Sequence, residues 1–276
     1  MHGSRRKGAG LRPIELEHVW YLYPGGKRAL EDVSLSVEAG EVVALVGRNG
    51  SGKTTLLKHL NGLLKPTRGS VRIFGVDTRR ARVGQLSRHV GLVFQSPRAQ
   101  LFAPSVLEEA MFGPRNFRVE DPRGAAERAL REVGLAGLEG RPPLSLSGGE
   151  QRRLTLAAVL GWGPRVIALD EPTVGQDLRN KMRLLGLVRL WSSRGMTVIM
   201  ASHDVEFLWL LGPRVVAMAD GRVVADGPAR RVLSDESVAR AAGFELPQLA
   251  DLGRLIGRDL SDAAEAAREI AGMILR

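Results

Sequence analysis

Gly47-Arg48-Asn49-Gly50-Ser51-Gly52-Lys53-Thr54 follows the apolar run Val42–Val46 and leads into Thr55-Leu56-Leu57. The octapeptide fits the phosphate-binding pattern G-x-x-x-x-G-K-[ST]. It also has the context that pattern needs, a buried strand before it and a helix after it, here about Lys53 to Leu63. The glycines let backbone N–H groups turn toward one point, and the helix start adds partial positive charge there. Lys53 is placed to reach the outer phosphates of a nucleotide and Thr54 to hold Mg²⁺. Gly47, Asn49, Gly50, Ser51, Gly52, Lys53, Thr54 and Thr55 are therefore the candidate phosphate contacts.

Outward from this loop, continuous apolar runs alternate with helical stretches. Val42–Val46, Val166–Leu169 and Val198–Ala201 read as fully buried strands, the last two separated by a helix across Arg179–Arg194. Ile14–Trp20, Leu35–Val37, Val71–Phe74 and Val90–Phe94 read as further strands. Val215–Ala219 and Val223–Ala225 flank Asp220-Gly221, a hairpin signal. Between Ser96 and about Leu160 the texture changes to short helices broken by Pro and Gly, one of them opened by a capping box of Ser105 and Glu108. This is an α/β core with a helical insert. A parallel sheet covered on both faces binds ligands at the carboxyl ends of its strands.

One such end is Val166-Ile167-Ala168-Leu169-Asp170-Glu171. Four apolar residues bury the strand and two acids emerge from it. Asp170 can bind Mg²⁺ through water, since that ion keeps much of its hydration shell. Glu171, one residue further on, is placed to polarise an attacking water.

Leu146-Ser147-Gly148-Gly149-Glu150-Gln151 lies upstream of Asp170. Ser147 and Glu150 form a capping box for a helix running through Val159. The string also resembles the signature of ABC ATPases. The order phosphate loop, Gln95, signature, Asp170-Glu171, Thr173–Asp177 and His203 resembles that family from about Leu16 to Gly227. The resemblance implies a P-loop NTPase fold: a RecA-like core with an antiparallel β subdomain, an α-helical subdomain at about 96–160 and a short C-terminal helical extension. The division is then 1–12, a basic leader; 13–230, the ATPase domain; and 231–276, the extension.

The resemblance also implies a head-to-tail dimer that binds ATP and Mg²⁺. Ser147, Gly148 and Gly149 of one chain would face the nucleotide held by Lys53 of the other. It further implies that Gln95 senses Mg²⁺ and water, that His203 contacts the γ-phosphate, and that Asp177 lies in the loop joining the two sites. Tyr23, before Pro24, would stack on adenine. Each has a plainer reading: Gln95 as a strand terminus, His203 as a hydrogen-bonded core histidine, Asp177 as a helix cap, and Tyr21 in place of Tyr23 as the stacking ring.

Val93-Phe94-Gln95-Ser96-Pro97-Arg98-Ala99-Gln100-Leu101-Phe102, His59–Leu64 and Pro172–Asp177 with Gln176 resemble the energy-coupling factor ATPases of cobalt, nickel and vitamin importers. That likeness implies a transmembrane coupling subunit, a substrate-capture membrane protein, a second ATPase subunit (the same or a different one) and a place on the cytoplasmic face of the membrane. Leu101 and Phe102 are candidates for the membrane-subunit contact, or for local core. The alternatives are the ATPase of a conventional binding-protein-dependent importer and an ABC ATPase acting on nucleic acid or ribosome. No nucleic acid is expected, because the gap between phosphate loop and signature holds no long insertion.

The 276 residues contain no cysteine, which excludes disulfides and thiolate metal sites. No apolar run approaches the roughly 20 residues that cross a bilayer. The net charge of +10 includes Arg5, Arg6, Lys7 and Arg12 in the leader, readable as a solvated tail or as a contact with anionic lipid or nucleic acid. Leu260, Ala264, Ala267, Ile270 and Ile274 recur at helical spacing near the end, suiting a helix packed on its own domain or a dimer contact.

Overall fold

The computed structural model describes residues 11–256. The leader charges at 5–7 and the apolar stripe from Leu260 to Ile274 lie outside them. Two sheets form the body. β1 (Ile14–Leu22), β2 (Arg28–Val37), β4 (Arg68–Ile73) and β5 (Val76–Asp77) make an antiparallel sheet in the order β2-β1-β4-β5. β3 (Val42–Val46), β6 (Val90–Val93), β7 (Val166–Asp170), β8 (Thr197–Ala201), β9 (Arg214–Ala219) and β10 (Arg222–Pro228) make the larger sheet, ordered β10-β9-β3-β8-β7-β6. Every pairing in it is parallel except β10 with β9.

The parallel strands are buried on both faces, and alternate residues serve two cores. Val43 and Leu45 of β3, with Val166 and Ala168 of β7, face the antiparallel sheet and α1 (Lys53–Leu60). Ala44, Val46, Ile167 and Leu169 face the helices α3 (Val106–Asn116), α4 (Pro122–Glu132), α5 (Gly148–Leu160) and α6 (Leu178–Ser193). Because β3, β6, β7 and β8 run in parallel, the phosphate loop, Gln95, Glu171 and His203 all leave the sheet at one edge. The remaining helices are α2 (Val83–Leu86), α7 (Val205–Leu211), α8 (Ala229–Leu233), α9 (Glu236–Ala242) and α10 (Gln248–Ile256).

Several local expectations change. β2 begins at Arg28 rather than Leu35, because a backbone kink at Asp32, φ +54°, breaks the alternation that marks a strand. α1 ends at Leu60 rather than Leu63, since Gly62 turns the chain at φ +75°. Ser105 caps α3 through the Glu108 N–H, but the Glu108 carboxylate goes to Arg115 instead of returning to the cap, so only half the capping box forms. Leu101 is buried, while Phe102 beside it is 66% exposed.

Candidate functional site

The phosphate loop is shaped by what crowds it. A side chain at Gly47 would place its Cβ 2.2 Å from the Met218 carbonyl oxygen, and one at Gly52 would stand 2.5 Å from that of Ala29. Both backbones also have positive φ, so glycine is required twice over. Lys53 is buried and folds beneath the loop, its Nζ donating to the carbonyls of Gly47 (2.6 Å) and Arg48 (3.1 Å). Burial pulls its ammonium below the ordinary value, against Glu171 and Asp170, which favour the charged form.

Across from the loop, the Thr54 hydroxyl donates to both Asp170 oxygens, at 2.9 and 3.1 Å. Burial raises the Asp170 carboxyl, opposed by Thr54, Lys58, Lys53 and Arg152. Glu171 follows with φ +47°, a conformation a non-glycine residue adopts only where its surroundings hold it. Its backbone N–H donates to Ala201 on β8, and its Oε2 lies 2.8 Å from His203 Nδ1 and accepts the His203 N–H at 3.3 Å. The Glu171 side chain is nearly buried, whereas that of His203 is 60% exposed.

These groups border an open cleft of about 770 Å³. Tyr23, Asn49, Gly50, Gly52, Lys53, Thr54, Thr55, Gln95, Glu171 and His203 line it. Gly47, Ser51 and Asp170 lie buried beneath this lining. The Tyr23 hydroxyl bonds Thr55 Oγ1 at 3.0 Å, standing the ring on the cleft wall. Tyr21 meets Tyr23 and His59 edge-on, each at 4.9 Å between centroids, and packs into the core instead.

Ser147, Gly148, Gly149 and Asp177 do not line the cleft. Ser147 caps α5 in a complete capping box: Glu150 Oε2 takes the Ser147 N–H (2.9 Å) and hydroxyl (2.8 Å), and Ser147 Oγ accepts the Glu150 N–H at 3.4 Å. Those bonds hold the Glu150 carboxyl below its usual range. Asp177 caps α6 by accepting the Asn180 N–H at 2.8 Å.

Two groups at the site gave no local signal. Lys181 of α6 pairs with Asp204, the cap of α7, at 2.6 Å, and both line the cleft. Their partnership joins segments that nothing in either string relates. Arg152 of α5 is 4% exposed, although its setting, Glu150-Gln151-Arg152-Arg153, reads as a solvated helix start.

Thr54, Asp170 and Gln95 offer only oxygen as hard donors, the chemistry Mg²⁺ selects. Among the described residues no cluster of three His, Cys, Asp or Glu forms a protein cage for a metal. A hydroxyl beside one carboxylate suits an ion that takes its other ligands from phosphate and water.

Residues 30–174 match the family model described as ABC transporter. An energy-coupling factor transporter ATP-binding protein of Methanocaldococcus jannaschii is 37% identical over 249 residues, 89% of each chain. Another so named, from Methanothermobacter thermautotrophicus, is 40% identical over 87% of this chain and 78% of its own length. Among solved structures, CbiO1 from Clostridium perfringens, part of the ABC transporter complex CbiONQ, is similar at TM-score 0.76 and 32% identity, over 88% of this chain and 99% of that one. An ATP-binding cassette solved as a dimer in a post-hydrolysis state with ADP and Pi is similar at TM-score 0.70 and 29% identity, over 78% of this chain and 98% of that one. The fold, the cleft and these likenesses agree: the chain belongs to the ABC transporter ATP-binding family, and it is an ATPase subunit of that family.

Proposed function

We propose that this subunit powers an energy-coupling factor importer for a metal ion such as cobalt or for a vitamin, working as one of two ATPase chains beneath separate membrane proteins. The observation that carries this reading is the course of the segment from Phe94 to Phe102. Gln95 borders the nucleotide cleft, while Phe94, Gln100 and Phe102 border a second, apolar groove of about 340 Å³. Gln100 Oε1 accepts the Phe94 N–H at 3.2 Å and closes the segment on itself. Phe102 and Phe112 stack edge to face at 4.8 Å and remain half or more exposed, giving the groove an apolar lip. A short helix of a membrane coupling subunit is the occupant that suits it. No helix among the described residues is long and apolar enough to cross a membrane. Relatives named as energy-coupling factor subunits favour this over the conventional importer and over a nucleic-acid role.

In the cleft, Tyr23 offers a face for adenine, and the loop N–H groups with Lys53 offer donors for the phosphates. Thr54, Asp170 and Gln95 would hold Mg²⁺, which when bound neutralises phosphate charge. Glu171 is the general base: its carboxylate is anchored by His203 at the cleft wall and faces the phosphate end. His203 orients that carboxylate and leaves its exposed ring edge toward the cleft. Purified full-length chain should hydrolyse ATP. Glu171→Gln should lower turnover by about 10²-fold or more while ATP still binds. Equal turnover in the two proteins would remove Glu171 from the role.

A further inference from the structure

Arg152 is a buried charge that the site described above leaves unused. It sits in the second turn of α5, the helix that starts at the signature, and is 4% exposed. Among the described residues no carboxylate is bonded to it: Nη1 donates to the Phe94 carbonyl at 2.8 Å and Nη2 to the Glu171 carbonyl at 3.2 Å, while Nε finds no partner. Asp170 and Glu171 lie near enough to favour its charge, against burial, which disfavours it. A buried guanidinium of this kind costs desolvation, which its two carbonyl bonds offset in part.

The two carbonyls it bonds are not equivalent scaffold. Phe94 directly follows β6 and precedes Gln95, and Glu171 directly follows β7. These strands are neighbours, with Val93 opposite Leu169. The planar fork of one side chain therefore spans the ends of both strands, with one Nη on each carbonyl. At Glu171 the bonded carbonyl belongs to a residue held at φ +47°. The same helix carries Ser147 and Gly149 less than two turns away.

We infer that Arg152 is a positioning residue for hydrolysis: it fixes Gln95 and Glu171 relative to each other and ties both to the helix that begins with the signature. The inference rests on the reading of Glu171 as general base. Arg152 does not line the nucleotide cleft; it acts through the two backbone carbonyls. Its loss misplaces the catalytic carboxylate without altering the Lys53 loop.

The test compares full-length wild type, Arg152→Met, Arg152→Gln, Arg152→Lys and Glu171→Gln by ATP turnover, by direct binding of ATP, and by thermal midpoint. Arg152→Met should lose about 10²-fold in kcat with ATP affinity within about threefold, as expected when a reacting group shifts by about 1 Å. Arg152→Lys should recover part of that loss, and Arg152→Gln less. A residue that only supports the fold would lower the midpoint and leave kcat per folded chain unchanged in all three, and that result overturns the inference. If Arg152→Met does not fold, Arg152→Lys and Arg152→Gln decide by the same split between kcat and affinity. If Glu171→Gln is as active as wild type, the reading of the base fails. If Glu171→Gln is inactive and the Arg152 variants keep wild-type kcat, only the inference fails.

Discussion

The two glycine-rich helix starts of this chain, α1 at the phosphate loop and α5 at the signature, are built in opposite ways. The α1 start is concave. Lys53, Thr54 and Glu171 converge on one cleft, with Asp170 buried beneath Thr54, and are held by Gly47, His203 and one another. The α5 start is convex and self-satisfied, with Glu150 occupying both the N–H and the hydroxyl of Ser147. Nothing stands within 4 Å of where a Gly148 Cβ would sit, and its φ is not positive. Among the described residues nothing therefore calls for glycine at 148, and its bare backbone is open to approach from outside. In the function proposed above, the first region is a site and the second is half of a contact, as two chains sharing each nucleotide require.

The largest effect that would break this contrast is at Gly148. Gly148→Val should leave the thermal midpoint and ATP binding close to wild type and lower ATP turnover by about 10²-fold, because the added side chain stands where a partner's nucleotide must come. Unchanged turnover would make the signature a mere helix cap. At the concave end, Tyr23→Ala should weaken ATP binding by about 1–3 kcal/mol, the worth of a base stacked on an aromatic ring, with little change in kcat. Tyr21→Ala should instead lower the midpoint, since that ring packs into the core. An affinity loss at Tyr21 and none at Tyr23 would exchange their roles.

The smallest effect concerns the wall between the two regions. Burial raises the Asp204 carboxyl, but the Lys181 bond, the Phe207 N–H and Thr173 together bring it below its ordinary value. A depressed folded-state value means that its stabilisation is present above the unfolded value, about 3.9, and is lost as pH falls through the folded one. The gap in thermal midpoint between wild type and Asp204→Asn should therefore be full near neutrality and close at acid pH. A gap independent of pH would show that the Lys181 pair adds nothing.

The contrast also shows what the sequence can carry. The phosphate loop, β3 and the Ser147–Glu150 box were legible because each is complete within a short string, where spacing and chemistry suffice. Asp170 and Glu171 were legible because four apolar residues before them make a strand end. β2 was not, because the kink at Asp32 disrupts its alternation. Leu101 and Phe102 share one apolar dipeptide, and only packing against α3 and its neighbours decides that the first turns inward. Arg152 was hidden most deeply. A charged residue among charged neighbours reads as solvated, and the carbonyls it bonds lie just past β6 and β7, which the chain brings together only through the sheet.

The central claim is that each nucleotide site is shared between two chains. Its most direct test is the mass in solution of full-length Glu171→Gln, with and without ATP and Mg²⁺, alone and carrying Ser147→Arg. We predict a monomer without ATP, a dimer with it, and loss of that dimer on adding Ser147→Arg while ATP still binds. ATP bound without any dimer, or a dimer that forms equally well with Ser147→Arg, would contradict it.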